Sequence, residues 1–191
     1  KDTNEDTNED TNDGHSNTAN DNAVASVKEN TSQPTLTAGS IPGETTSAIN
    51  PLDPSLSEET RAGKLPIIAT DGRLSSSYYA SSLKADNSLP RIAIIVTDIG
   101  RRARQTRKAF DRLPPSVTFA FSPYGTDLQK WADTARNSGH ESLLMIPMEP
   151  SNSAQNDAGP LALLANNRSR QNLNLLRSSM SRMQGYVGII N

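Results

Sequence analysis

Residues 90–100 read PRIAIIVTDIG. The β-branched run Ile92-Ala93-Ile94-Ile95-Val96, closed by Asp98 and Gly100, has the composition of a strand buried on both faces. Downstream, Thr106, Ala109, Phe110 and Leu113 recur at helical spacing, and Pro114-Pro115 stops that helix. Val117 to Phe121 predicts a second strand. Leu128, Trp131, Ala132 and Ala135 form the apolar stripe of a second helix, ended by a C-cap glycine at Gly139. Leu143 to Ile146 predicts a third strand ended by Pro147. Leu173, Leu176, Met180 and Met183 mark a third helix, and Tyr186 to Ile190 a fourth strand before Asn191. Short apolar strands alternating with amphipathic helices predict an α/β fold with parallel strands and right-handed crossovers. Four strands suit either half of a barrel or a small open sheet. A chain ending on a strand leads us to expect an incomplete domain.

Upstream the composition changes. Residues 1–88 carry 14 acidic and 6 basic side chains, whereas 89–191 carry 7 and 13. Apolar residues number 23 of 88 in the first part and 41 of 103 in the second. Ordering a residue costs roughly 1–2 kcal/mol, so only the second part has the means to fold. Residues 2–13 repeat as DTNEDTNEDTND, a low-complexity acidic tract expected to be disordered. Calcium binding by that tract would need a glycine-turned loop, and no glycine is spaced through it. Pro34, Pro42, Pro51 and Pro54 extend the linker, so 1–60 is read as a disordered acidic and Ser/Thr/Pro linker. Residues 61–88, with the apolar island Leu65-Pro66-Ile67-Ile68-Ala69 and Tyr78-Tyr79, are read as an arm packing on the domain or a strand-like lead-in.

The absence of cysteine excludes disulfides, thiolate metal sites and a cysteine nucleophile. The longest fully apolar runs are five residues, too short to cross a bilayer as a helix. No basic leader followed by an apolar stretch opens the chain, so no signal peptide is expected in it. A chain beginning at Lys1 is expected to be a fragment.

Functional residues of parallel α/β folds lie at the C-terminal ends of strands. That rule selects Thr97, Asp98 and Gly100, then Ser122 and Tyr124, then Met148 and Glu149, and finally Asn191. Asp98 can hold a metal, act as a base, or simply cap the following helix. Glu149 is a ligand candidate or a solvated loop acid. Tyr124 and Asn191 are candidate binding residues. His140 precedes its strand and so lies at the wrong end for catalysis, where a structural role is expected. The Arg101-Arg102-x-Arg104 and Arg107-Lys108 cluster lacks interleaved aromatics, so it reads as a solvated helix face and no nucleic-acid partner is expected. No P-loop and no G-x-G-x-x-G is present.

The segments PRIAIIVTDIG, LPPSVTFAFSPYG, NSGHESLLMIPMEP and GYVGIIN, in that order, closely resemble the divergent polysaccharide deacetylase family, distant relatives of NodB-type carbohydrate deacetylases. The resemblance covers residues 89–191, with a weaker echo at LPIIATDGR. It implies a distorted (β/α) barrel of about seven strands, of which this chain holds the first four, and a place in the bacterial cell envelope or periplasm behind an upstream membrane anchor. It also implies hydrolysis of acetyl groups on envelope polysaccharide by a zinc-like divalent metal held by one Asp and two His, with a second Asp as base.

Here the strand-one pair is Thr97-Asp98, so a ligand-like Asp98 remains while the base position carries a threonine. Many relatives have a strand-three histidine where this chain has Met145. With only His15 and His140 in the chain, an Asp-His-His set cannot be assembled from it. Two functions follow: a metal-dependent deacetylase using Asp98, Glu149 and residues beyond Asn191, or a catalytically inactive relative that binds glycan or an envelope protein through the strand-tip face.

Overall fold

The computed structural model describes residues 49–191 apart from 83–87, 89 and 153–154. The acidic repeat and most of the linker reading therefore lie outside the described residues. The elements that follow belong to a single unit.

A four-stranded parallel sheet runs β3 (Ile95–Ile99), β4 (Thr118–Phe121), β5 (Ser142–Met145) and β6 (Gly188–Ile190), each strand pairing with the next in chain order. Helices α2 (Ala103–Arg112), α3 (Leu128–Asn137) and α4 (Ser169–Met180) supply the crossovers. This is the α/β architecture expected from the alternation of short apolar strands and amphipathic helices, and it agrees with the beginning of a NodB-like barrel. Phe119, Phe121, Leu144 and Ile146 are almost fully buried against Leu128, Ala132 and Ala135 of α3. Phe110 of α2 stacks on Trp131 of α3, with centroids 5.8 Å apart and planes 12° from parallel.

Strand β3 departs from expectation. It begins at Ile95 rather than Ile92, and Ile92 and Ile94 are 89% and 57% exposed. The strand is at the sheet edge and only one of its faces, through Val96 and Ile99, joins the core. Burial on both faces needs layers on both sides, which the described residues do not supply here. Leu173, expected in the apolar stripe of α4, is also largely exposed, while Leu176, Met180 and Met183 pack on the core.

The N-terminal part holds regular structure that composition did not reveal. Asp53 accepts from the Ser55 amide at 2.9 Å and so caps a 3-10 turn at Pro54–Leu56. An antiparallel hairpin follows, β1 (Ser57–Thr60) with β2 (Gly63–Pro66), and then a one-turn helix α1 (Ser75–Tyr78). The sequence places residues 54–60 within a linker because of its Ser and Thr content and the run of prolines ending at Pro54. Backbone pairing to β2 and contact of β2 with α4 order it instead. Leu56, Ala69 and Tyr79 form a small second core, joined by Val187 next to β6. Arg73 bridges Asp53 and Asp71 at 2.6 Å each, and the Ser81 amide donates to Glu141 at 2.6 Å.

Candidate functional site

At the C-terminal tip of β3 the parallel register slips. Val96 pairs with Phe119 and Ile99 with Phe121, leaving one extra residue on β3. Such a bulge re-aims a side chain and is frequent beside functional sites. The extra length is taken up at Asp98, a non-glycine residue at φ 59°. Gly100 follows at φ 84°, a left-handed conformation that favours glycine, and an added Cβ would lie 2.6 Å from Leu128 Cδ2, so the Leu128 side chain would have to shift. The Gly100 amide donates to Thr106 Oγ1 at 3.0 Å, which ties the turn to α2. Residue Arg102 occupies the N-cap of α2 and makes no side-chain cap bond. The helix-cap reading of Asp98 is thereby corrected, because the strand-to-helix turn is too long for its carboxylate to serve the helix.

Asp98 instead lines a cleft of about 380 Å³, together with Arg101, Tyr124, Met145, Asp157 and Asn191. Its carboxylate lies 3.4 Å from Arg101 Nη1, with both side chains more than half exposed. Its amide donates to Met145 Sδ at 3.4 Å, which brings the thioether of β5 against the tip of β3. Proline rings at positions 123, 147 and 160 complete the walls. Tyr124 is half-buried, and its hydroxyl is occupied within the chain: it donates to the Ala158 carbonyl at 2.7 Å and accepts from the Leu161 amide at 3.1 Å. The phenol therefore offers the cleft its ring rather than its hydroxyl. Asp157 accepts from the Gly159 amide at 2.7 Å. The result is a mixed surface of two carboxylates, a guanidinium, an amide, an aromatic ring and apolar walls.

Four of the eight residues selected by the strand-tip rule, Asp98, Ser122, Tyr124 and Asn191, meet in this cleft. Glu149 does not line it; its Oε2 accepts from the Ala165 amide at 2.6 Å and holds the following loop. His140 is 2% exposed at the opposite end of the sheet, where Nδ1–H donates to the Val117 carbonyl at 2.8 Å and the ring stacks on Phe119. Arg101 was read from sequence as part of a solvated helix face; it precedes α2 and lines the cleft instead, while Asp157 and Gly159 were not singled out. Arg101 is close enough in the chain to Asp98 to have been found by spacing, whereas the loop carrying Asp157 and Gly159 has no periodic signal.

A divalent metal of the kind that the family implies needs several carboxylate or imidazole donors converging on one point. Among the described residues no three His, Cys, Asp or Glu side chains are so grouped. Beside Asp98 stand a guanidinium and a thioether, the first a competing cation and the second a poor ligand for a hard or borderline ion. These residues by themselves do not fit the metal.

The model of the divergent polysaccharide deacetylase family matches residues 94–191. An uncharacterized protein from Agrobacterium tumefaciens C58, known from its crystal structure, is 36% identical, with a TM-score of 0.64 over 66% of this chain and 51% of that one. The chain thus spans about half the length of that relative. No curated protein matches it. The matched residues run from β3 through β6 and include Asp98, Tyr124 and Met145 of the cleft. With half of its length under the family model and all four parallel strands inside the match, this chain belongs to the divergent polysaccharide deacetylase family.

Proposed function

We propose that the strand-tip cleft is a carbohydrate-binding site for acetylated polysaccharide of the bacterial cell envelope, and that Asp98 and the Tyr124 ring are its principal contacts. The observation that carries this reading is the lining of the cleft. A sugar presents hydroxyls that carboxylates and amides can bond, together with apolar C–H faces that stack on an aromatic ring. Asp98, Asp157 and Asn191 meet the first need, and Tyr124 with the proline walls meets the second. At about 380 Å³ the space suits one or two sugar rings, within the usual range of small-ligand sites.

Acetyl-group hydrolysis is a second reading, supported by family membership and by the left-handed backbone at Asp98, since strained residues cluster at functional sites. It requires donors beyond those grouped in the described residues. The test is titration of the chain with an N-acetylated chito-oligosaccharide and its deacetylated counterpart, followed by amide NMR, with acetate release measured in parallel with and without zinc. Shifts clustered at Asp98, Tyr124 and Asn191, lost in Asp98→Asn, support the binding site. Absence of shifts with both sugars overturns it. Zinc-dependent acetate release would promote the hydrolase reading.

A further inference from the structure

The geometry points to Arg182 as a positioning residue that sets the width of the cleft from outside it, by clamping the Tyr124 loop. This rests on the carbohydrate reading only for its functional consequence. Arg182 follows α4 directly and does not line the cleft. Its Nε–H donates to the Pro123 carbonyl at 3.0 Å and its Nη2–H to the Gly125 carbonyl at 3.1 Å. Those two carbonyls flank Tyr124. A guanidinium fork holds two acceptors at a set separation, which a lysine ammonium does not. No ion pair of Arg182 with a carboxylate occurs among the described residues, so its donors serve these carbonyls.

The clamp extends through Tyr124 to the 158–161 loop, which supplies a further part of the cleft lining. The phenol bonds both Ala158 and Leu161, and Gly159 between them passes so close that an added Cβ would lie 2.7 Å from the phenol oxygen. One side is also seated on the Asp98 turn: the Ser122 amide donates to the Ile99 carbonyl at 3.0 Å, and a Cβ on Gly125 would lie 2.7 Å from the Gly100 carbonyl oxygen. Arg182, Tyr124 and the 158–161 loop form one mechanical series running from just after α4 to that part of the lining. Removing the first link frees the Tyr124 loop, and with it the seating of the ring against the 158–161 loop.

Amide hydrogen exchange on the whole chain without sugar tests this. In Arg182→Ala and in Tyr124→Phe, exchange of the Leu161 amide should accelerate about tenfold, the worth of one hydrogen bond, while the Phe119 and Leu144 amides keep their protection. Arg182→Lys should give an intermediate effect, and millimolar methylguanidinium should restore Leu161 protection in Arg182→Ala but not in Tyr124→Phe. Unchanged Leu161 exchange in Arg182→Ala overturns the clamp. So does acceleration shared equally by Phe119 and Leu144, which would make Arg182 a general stability residue. Weaker binding of the N-acetylated chito-oligosaccharide by Arg182→Ala ties the clamp to the cleft. If the unmutated chain binds no sugar, the carbohydrate reading fails while the exchange result still decides the clamp.

Discussion

His140 stacks on Phe119 with ring centroids 4.0 Å apart and planes 18° from parallel, while its Nδ1–H donates to the Val117 carbonyl. Burial penalises the imidazolium and lowers the His140 pKa below its ordinary 6.5, a shift only partly opposed by the carbonyl. The unfolded chain then binds a proton that the folded chain refuses. Stability from this site is complete above the unfolded pKa of 6.5 and declines as the pH falls below it, levelling off beneath the folded pKa. Thermal melts between about pH 7 and pH 5 should show Tm falling with pH, and the fall should be smaller in His140→Gln. Parallel curves for the two proteins would refute the assignment.

Phe119 is fully buried between that imidazole and Phe110, whose ring meets it edge-on at 5.0 Å. Phe119→Ala should cost about 3–5 kcal/mol, through lost transfer energy and the cavity left behind. Urea unfolding monitored by Trp131 fluorescence measures it. A loss below about 1 kcal/mol would mean that the core collapses around the gap.

Asp98→Asn should leave stability within about 0.5 kcal/mol, because asparagine tolerates the left-handed backbone and the exposed pair with Arg101 contributes little. Asp98→Ala should cost about 1 kcal/mol, since alanine adopts that conformation less readily. Sugar binding should fail in both. Retained binding in Asp98→Asn would remove Asp98 from the site.

Two glycines separate backbone conformation from crowding. Gly72 has φ 85° with open space around it, while Gly185 has φ 80° and the Arg136 guanidinium where a Cβ would stand. Gly72→Ala should cost about 1–2 kcal/mol from conformation alone. Gly185→Ala should cost more, because Arg136 must also give up its bond to the Gly185 carbonyl. Equal losses in chemical denaturation would show that Arg136 moves aside freely.

How much of this was legible depends on the range of the forces involved. Strands β4 and β5 and helix α3 were readable because each carries its own periodic apolar signal, as in Leu128, Trp131, Ala132 and Ala135. The start of β3 was misplaced because Ile92 and Ile94 have strand composition, yet only neighbouring layers decide whether such residues are buried. The hairpin at residues 57–66 was missed for the converse reason, since its order comes from backbone pairing and α4 rather than from apolar side chains. Asp98, Tyr124 and Asn191 were found by a topological rule that needs only strand order, whereas Glu149 satisfied the same rule and was drawn off by the Ala165 amide.

The sequence by itself determined the alternation of strands and helices, their parallel arrangement, the family, and the position of Asp98 at a strand tip. These follow from local periodicity and from motifs contiguous in the chain. Tertiary structure alone decided that Asp98 lines a cleft instead of capping a helix, that Met145 stands against it, and that Arg182 reaches back 59 residues to Pro123. Such contacts depend on a register slip in β3 and on loops without periodicity, and neither is encoded in any short window of residues.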